Sequence, residues 1–282
     1  MIRRLAIVGL GLLGGSVAKA VRAESLAREI VGIGRNPASL APALSEGAVD
    51  SVTTDLRAGL GAADMIVLAT PVATLEQQMS AVWSAAEPHA LVTDVGSTKA
   101  AIVRVAETLS AARPLDFVGS HPMAGSNLSG FGVARADLFR GATIILTPTD
   151  RTARDAVKRV TEFWEAVGGR VVSMDPATHD RAVAAVSHLP HLVADALVDA
   201  VIRMDPQFFD VAARGFKDTT RIAASNPTVW REIFEENHEA LAEAVAAFRA
   251  ALDNLERVLR AGDASRIEAE LERIRAVRAR LG

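Results

Sequence analysis

The chain has no cysteine and no tyrosine in 282 residues, and only 3 tryptophans. Without cysteine there can be no disulfide, no thiolate metal site and no cysteine nucleophile. Although 50% of the residues are hydrophobic, none of the apolar runs approaches the roughly 18 uninterrupted residues of a membrane span, so no membrane partner is expected. Charge of one sign is not in excess either. The 31 basic and 34 acidic residues give a formal net charge of -3, and nucleic acid, which calls for a basic field, is not an expected partner. Met1-Ile2-Arg3-Arg4-Leu5 leads straight into a strand-like segment without an apolar leader or a cleavage signal, and the expected location is the cytoplasm. What remains as partner is a small-molecule substrate or a second copy of the chain. No physical account of the missing tyrosine follows from the sequence.

What the chain does have is alternation. Residues 5–8 (Leu5-Ala6-Ile7-Val8) are a continuous apolar run of the buried parallel-strand kind, followed by Gly9-Leu10-Gly11-Leu12-Leu13-Gly14 and a helical stretch. In that context three glycines have separate tasks. Gly9 makes the tight turn, Gly11 lets backbone amides reach a pyrophosphate, and Gly14 brings helix against strand. The amides around Leu12 and Leu13, at the positive end of the helix dipole, then face the phosphates. This is a dinucleotide site in its confirming strand-turn-helix setting. The second strand, residues 30–33, ends at Gly34-Arg35-Asn36, where an NAD site usually places a carboxylate on the ribose hydroxyls. With Gly34 there and Arg35 beside it, nothing repels a 2'-phosphate and a guanidinium is at hand, which favours NADP with NAD possible. The alternative is that Arg35 stacks on adenine or points to solvent, leaving either cofactor usable.

Further strand-like runs stop at Thr70-Pro71, at Asp94-Val95-Gly96-Ser97-Thr98-Lys99 and at Gly119-Ser120-His121-Pro122-Met123-Ala124-Gly125-Ser126-Asn127, with helical segments between them. Alternating strands and helices mean a doubly wound sheet, in which ligands bind beyond the carboxyl ends of the strands. Thr70, Pro71, Asp94, Ser97 and His121 therefore share one rim with the glycine turn. His121 is read as lying just past its strand, where Pro122 denies helical geometry and small neighbours let a ligand approach. Taken alone, His121 reads more readily as an ordinary loop residue than as a site, and Ser97 equally as a helix N-cap.

After short runs at 143–146 and 171–172 the pattern is helical to the end, a shift that divides a Rossmann unit, residues 1–174, from an all-helical unit, residues 175–282. In Ser187-His188-Leu189-Pro190-His191 a proline interrupts a helix, and the two histidines share a face. With no cysteine or carboxylate at ligand spacing, structural or substrate contacts suit them better than a metal. Gly215-Phe216-Lys217-Asp218-Thr219-Thr220-Arg221 reads as a solvated surface turn. One long helix from Thr228 sets Leu241, Val245, Phe248, Leu252, Leu255 and Leu259 in a heptad-like seam. Ile267, Leu271, Ile274 and Leu281 of the last helix could fill that seam, as could a second subunit.

These motifs, in this order, resemble the prephenate and arogenate dehydrogenase family, and the resemblance covers nearly the whole chain. It implies an α/β fold, a Rossmann doubly wound, mostly parallel sheet followed by an all-helical dimerisation domain, with the active site in the cleft. It implies oxidative decarboxylation of prephenate or arogenate with hydride transfer to NAD(P), in tyrosine biosynthesis. It casts His121 as the base for the ring C4 hydroxyl, Ser97 as the serine that orients it, Arg221 as the holder of the ring carboxylate, and His188, Ser126 and Trp230 as substrate-pocket residues. Gly9, Gly11, Leu12, Leu13, Gly14, Arg35, Thr70, Pro71 and Asp94 would hold the cofactor, with no metal. Asn127 stands where some relatives carry an acid, and no regulatory or mutase extension is expected. Two rivals share the glycine turn: another Rossmann-plus-helical reductase of a small hydroxy or imino acid, and an NAD(P)-binding regulator without chemistry.

Overall fold

The computed structural model describes residues 1–125 and 128–281. The expectations for Ser126 and Asn127 lie outside the described residues. The first part runs β1 (Ile2–Val8), α1 (Leu12–Ala23), β2 (Ala27–Ile33), α2 (Pro37–Ser45), β3 (Ser51–Thr53), α3 (Leu56–Leu60), β4 (Met65–Leu68), α4 (Val72–Ala85), β5 (Leu91–Asp94), α5 (Ala100–Ala112), β6 (Asp116–Pro122), β7 (Thr143–Thr147), α6 (Arg154–Ala166) and β8 (Arg170–Ser173). The strands form one sheet in the order β3-β2-β1-β4-β5-β6-β7-β8. All neighbours pair in parallel except β6 with β7. The apolar runs are continuous because both faces of the sheet are covered. Leu5 and Ile7 pack with Val17 and Val21 on one side, while Ala6 and Val8 pack with Leu75 and Met79 on the other.

Two features depart from the sequence reading. The three-residue β3 was not expected, being too short and polar for periodicity to reveal. More important, β6 does not stop at Val118. Its first half pairs with β5 and its second half, Gly119–Pro122, pairs antiparallel with β7, His121 opposite Ile145. His121 is therefore a strand residue, carried past the end of β5 on a backbone that β7 holds from the other side. The proline ends the strand instead of opening a loop.

From Pro176 the structure is helical: α7 (Pro176–Val183), one π-helical turn (Ala184–His188), α8 (Leu189–Met204), α9 (Arg214–Thr220), α10 (Pro227–Glu236), α11 (His238–Arg260) and α12 (Ala264–Arg278), with short 3-10 turns between. Pro190 sits in the first turn of α8, where its missing amide is harmless, and the helix upstream widens into the π turn to accommodate it. Two expectations are corrected here. The segment 215–221 is not a surface turn but helix α9 running into a 3-10 turn that begins at Arg221. The single helix from Thr228 is two helices broken at Asn237, whose side chain turns inward to hydrogen-bond. The α11 seam is only partly filled within the chain: Leu241 is buried, but Leu252, Leu259, Leu271 and Ile274 remain exposed.

Among the described residues one helical run, Pro176–Met204, is long and apolar enough by composition to cross a membrane. Its own contacts place it in the fold instead. Asp180 within it accepts hydrogen bonds from the backbone of the α5 N-terminus, a pairing that a bilayer cannot replace.

Candidate active site

The glycine turn is shaped as its chemistry requires. Gly9 has φ near +97°, and a Cβ there would lie 2.7 Å from the Ala69 carbonyl oxygen. A Cβ on Gly14 would lie 1.9 Å from the Gly9 carbonyl oxygen, so helix and turn meet only because both residues are glycine. Gly11 differs: a Cβ there would meet nothing within 4 Å. It is the N-cap of α1, no side chain caps that helix, and its first turn carries no acid. The amides at Leu12 and Leu13 thus open on free space at the positive end of a 12-residue helix, a fit for a pyrophosphate. Thr70 packs against this turn, and its hydroxyl bonds Gln78 at 3.2 Å; Pro71 caps α4 beside it. At the end of β2 the position is glycine, and a Cβ on Gly34 would lie 2.9 Å from the tip of the buried Leu40 side chain, which would have to shift. Arg35 is exposed and has no ion pair among the described residues.

Asp94 does not face this space, which corrects its expected role. It is fully buried. One carboxylate oxygen accepts from the Gly96 amide at 2.8 Å and from the Lys99 ammonium, the other from the Ser120 amide at 3.0 Å. Lys99 also donates to the Ser120 carbonyl at 3.2 Å. Burial pulls the Lys99 ammonium below the usual lysine range, with Asp94 and then Asp180 opposing. The Ser120 hydroxyl bonds the Asp94 carbonyl, meets the Thr93 hydroxyl at 3.0 Å and accepts from the Trp164 indole at 3.1 Å. This network nails down the backbone one residue before His121.

His121 itself is held by a partner that sequence reasoning missed. Its Nδ1 lies 2.8 Å from Nε2 of His179, and His179 Nδ1 lies 2.7 Å from Oδ1 of Asp180. The same Asp180 carboxylate accepts from the amides of Lys99 and Ala100 at 2.8 and 2.9 Å, so a residue of α7 caps α5. Ser97 lies in the turn between β5 and α5, half-buried, and makes no hydrogen bond to His121 among the described residues. The hydrogen bond that holds the His121 ring here is thus made by His179, where the sequence points to Ser97. A signal was available: His179-Asp180 is an adjacent base and acid on the first helix after the sheet.

The helical side contributes a buried aromatic and imidazole cluster. His188 is buried, and its Nδ1 accepts from Asn237 Nδ2 at 3.1 Å, leaving Nε2 to carry the proton. His191 stacks on Trp230 with ring centres 3.5 Å apart, and its buried Nδ1 has no hydrogen-bond partner among the described residues. Trp230 also meets His188 edge-on at 6.1 Å, so it braces both histidines. Arg221 is exposed, at the start of a 3-10 turn packed on α8, and it makes no ion pair among the described residues.

His121, His188 and His191 are held below the ordinary histidine range and are neutral near pH 7. Burial, then the neighbouring His179, Lys99 and His188, pushes His121 well below the ordinary histidine range. Burial lowers His188 to about 4, against a partial pull from Asp180, and it also lowers His191. A base depressed on folding contributes stability that is present above its unfolded pKa and is lost as pH falls toward the folded one. For His188 alone the loss between pH 7 and pH 5 is about 2 kcal/mol. The melting temperature should therefore fall by several degrees over that range, and His188→Gln should flatten the fall; a pH-independent melting temperature would refute neutral burial.

Strand-end glycine turn, an open anion cradle and a neutral histidine on the same rim define a nicotinamide-dinucleotide-dependent dehydrogenase with a helical second unit. Residues 17–173 match the family model described as prephenate dehydrogenase, nucleotide-binding domain, and residues 175–273 match that of prephenate dehydrogenase, dimerization domain. The chain belongs to the prephenate dehydrogenase family. It is 37% identical over 239 residues to the prephenate dehydrogenase of Bacillus subtilis, a match that covers 83% of this chain and 64% of that protein. It is similar to the crystal structure of prephenate dehydrogenase from A. aeolicus in complex with hydroxyphenyl propionate and NAD+, with TM-score 0.93 and 36% identity over 100% of this chain and 99% of that one. The Synechocystis arogenate dehydrogenase structure matches with TM-score 0.87 and 30% identity, covering 99% of this chain and 100% of that one.

Proposed function

We propose that the chain oxidatively decarboxylates prephenate, arogenate or both, with NADP preferred over NAD, in tyrosine biosynthesis. The observation that carries this reading is His121, neutral and held in a fixed orientation on the rim that also bears the open Gly11 cradle. The bound nicotinamide supplies the acceptor for the hydride that leaves ring C4. His121 takes the proton of the C4 hydroxyl on Nε2. The carboxylate on C1 then leaves as carbon dioxide, and its bonding electrons complete an aromatic ring by passing to the C4 oxygen, which takes the proton back from His121, so the driving force lies in the substrate and no metal is needed. Arg221, without an ion pair among the described residues, holds a ring carboxylate as a planar, two-pronged donor. His188 presents an Nε2 proton to the same ligand, and the His191–Trp230 stack forms a wall of the pocket. Gly9, Gly11, Leu12, Leu13, Gly14, Thr70 and Pro71 form the cofactor cradle, and Ser97 lines its edge. We place the boundary between units at 174 and 175, the protein in the cytoplasm, and a homodimer interface on the exposed apolar residues of α11 and α12. A small hydroxy or imino acid would not call for His121, His188 and Arg221 together.

The preference for NADP rests on Gly34 and Arg35. Steady-state kinetics of the purified chain with prephenate and arogenate, each against NAD and NADP, should give turnover with at least one of the two acids. Catalytic efficiency should be about tenfold or more higher with NADP, and Arg35→Ala should remove that margin without lowering the efficiency with NAD. Equal or better efficiency with NAD in the unmodified chain would refute the preference.

A further inference from the structure

Resting on the assignment of His121 as base, we propose that His179 and Asp180 form a relay that fixes the tautomer of His121 and disperses the charge it acquires, which makes them positioning residues for the reaction. The direction of every proton in the chain follows from its end. Asp180 is held below the usual carboxylate range: burial works to raise it, but the bond from His179 and the amides of Ala100 and Lys99 outweigh that. An ionised carboxylate only accepts, so His179 must place its proton on Nδ1, 2.7 Å from Asp180. Its Nε2 is then a lone pair, and the 2.8 Å contact requires His121 to donate from Nδ1. The one nitrogen of His121 left bare is Nε2, the atom that a base must offer to a hydroxyl.

The surrounding charges set what the relay has to offset. His121 is neighboured by the Lys99 ammonium on the turn after β5, by His188 on the π turn and by His179 on α7, all of which disfavour its protonated form. The Asp94 carboxylate, the nearest charge on β5, is committed to Lys99. When the hydroxyl O–H bond breaks and an N–H bond forms on Nε2, His121 gains one positive charge in that setting. The charge is carried through Nδ1–H to the His179 lone pair and on to Asp180. The logic is that of a serine-protease triad with a second imidazole inserted between base and acid. Because Asp180 also caps α5, the relay is assembled only where α7 is docked on the sheet unit.

Three variants test this in the full-length protein. Asp180→Asn removes the charge that sets His179 and should lower kcat by about 100-fold or more, with KM for substrate and cofactor within threefold. Its kcat–pH profile should shift its acidic limb to lower pH, since a base without its counter-charge is weaker. His179→Gln, whose amide can still accept from His121 and donate to Asp180, should retain at least tenfold more activity than His179→Leu. A mere docking role would instead change KM or the melting temperature and leave the kcat plateau and the acidic limb in place, and that result would overturn the proposal. The independent reading is NMR of the histidine ring nitrogens in the unliganded protein. His121 should be the Nδ1–H tautomer in the unmodified chain and shift toward Nε2–H in Asp180→Asn. An Nε2–H tautomer in the unmodified chain refutes the relay whatever the substrate is, whereas absent turnover on both acids with the expected tautomer refutes the functional reading instead.

Discussion

Replacing His121 with asparagine should lower kcat about 1000-fold while the dissociation constant of the dinucleotide stays within a factor of two. The first half follows from the loss of general-base catalysis, which typically contributes 100- to 10,000-fold. Asparagine keeps a donor near the Nδ1 position, so the bond to His179 can persist, but it offers no basic nitrogen toward the substrate. The second half follows from distance in the fold. The anion cradle is built from the Gly9 turn and the first turn of α1, and among the described residues no hydrogen bond of His121 reaches it. The β6 backbone should not move, because residue 120 is held from β5 and α6 and residue 121 pairs with β7. Steady-state turnover with fluorescence titration of the cofactor separates the two effects. Turnover within tenfold of the unmodified chain would remove His121 from the chemistry.

The largest effect on stability should come from Lys99→Met. Lys99 and Asp94 are both wholly buried and paired. Removing the ammonium strands a carboxylate in the interior with two amide donors and no counter-charge, which costs about 3–5 kcal/mol. The melting temperature should fall by about 10 °C for a chain of this size. Adding Asp94→Asn removes the stranded charge and should recover a substantial part, so that the two changes are far from additive. Additive losses in that double-mutant cycle would mean that the pair does not act as a unit. The pair was invisible as such in the sequence, where Asp94 stood in line with the cofactor residues on the rim. Only the tertiary structure showed its side chain turned inward, toward Gly96, Lys99 and Ser120, where it shapes the loop.

The same contrast runs through the site. Gly9, Gly11 and Gly14 were legible because glycine requirements are local: a positive φ, a turn and a close helix are dictated by a few consecutive residues. The continuous apolar runs of β1, β4 and β5 were legible for a similar reason, since a strand covered on both faces must be apolar throughout. The end of β6 was not, because what keeps residues 119–122 extended is β7, some twenty-five positions away. Nor was the break at Asn237 legible. A helical pattern continues through it, and the interruption arises from hydrogen bonds to the Asp180 carbonyl and to His188.

The chain by itself determined an alternating sheet with a dinucleotide turn at its first crossover, a helical second half, and His121 as the residue around which chemistry would be arranged. These are consequences of periodicity, of glycine stereochemistry and of which side chains can carry a proton near neutral pH. Tertiary structure decided who serves that histidine. His179 and Asp180 reach it from 58 residues or more down the chain, and Ser97, the nearer choice in sequence, does not bond to it. The direction of a proton along such a chain depends on which nitrogen meets which oxygen, and that is settled only when α7 lies across the N-terminus of α5.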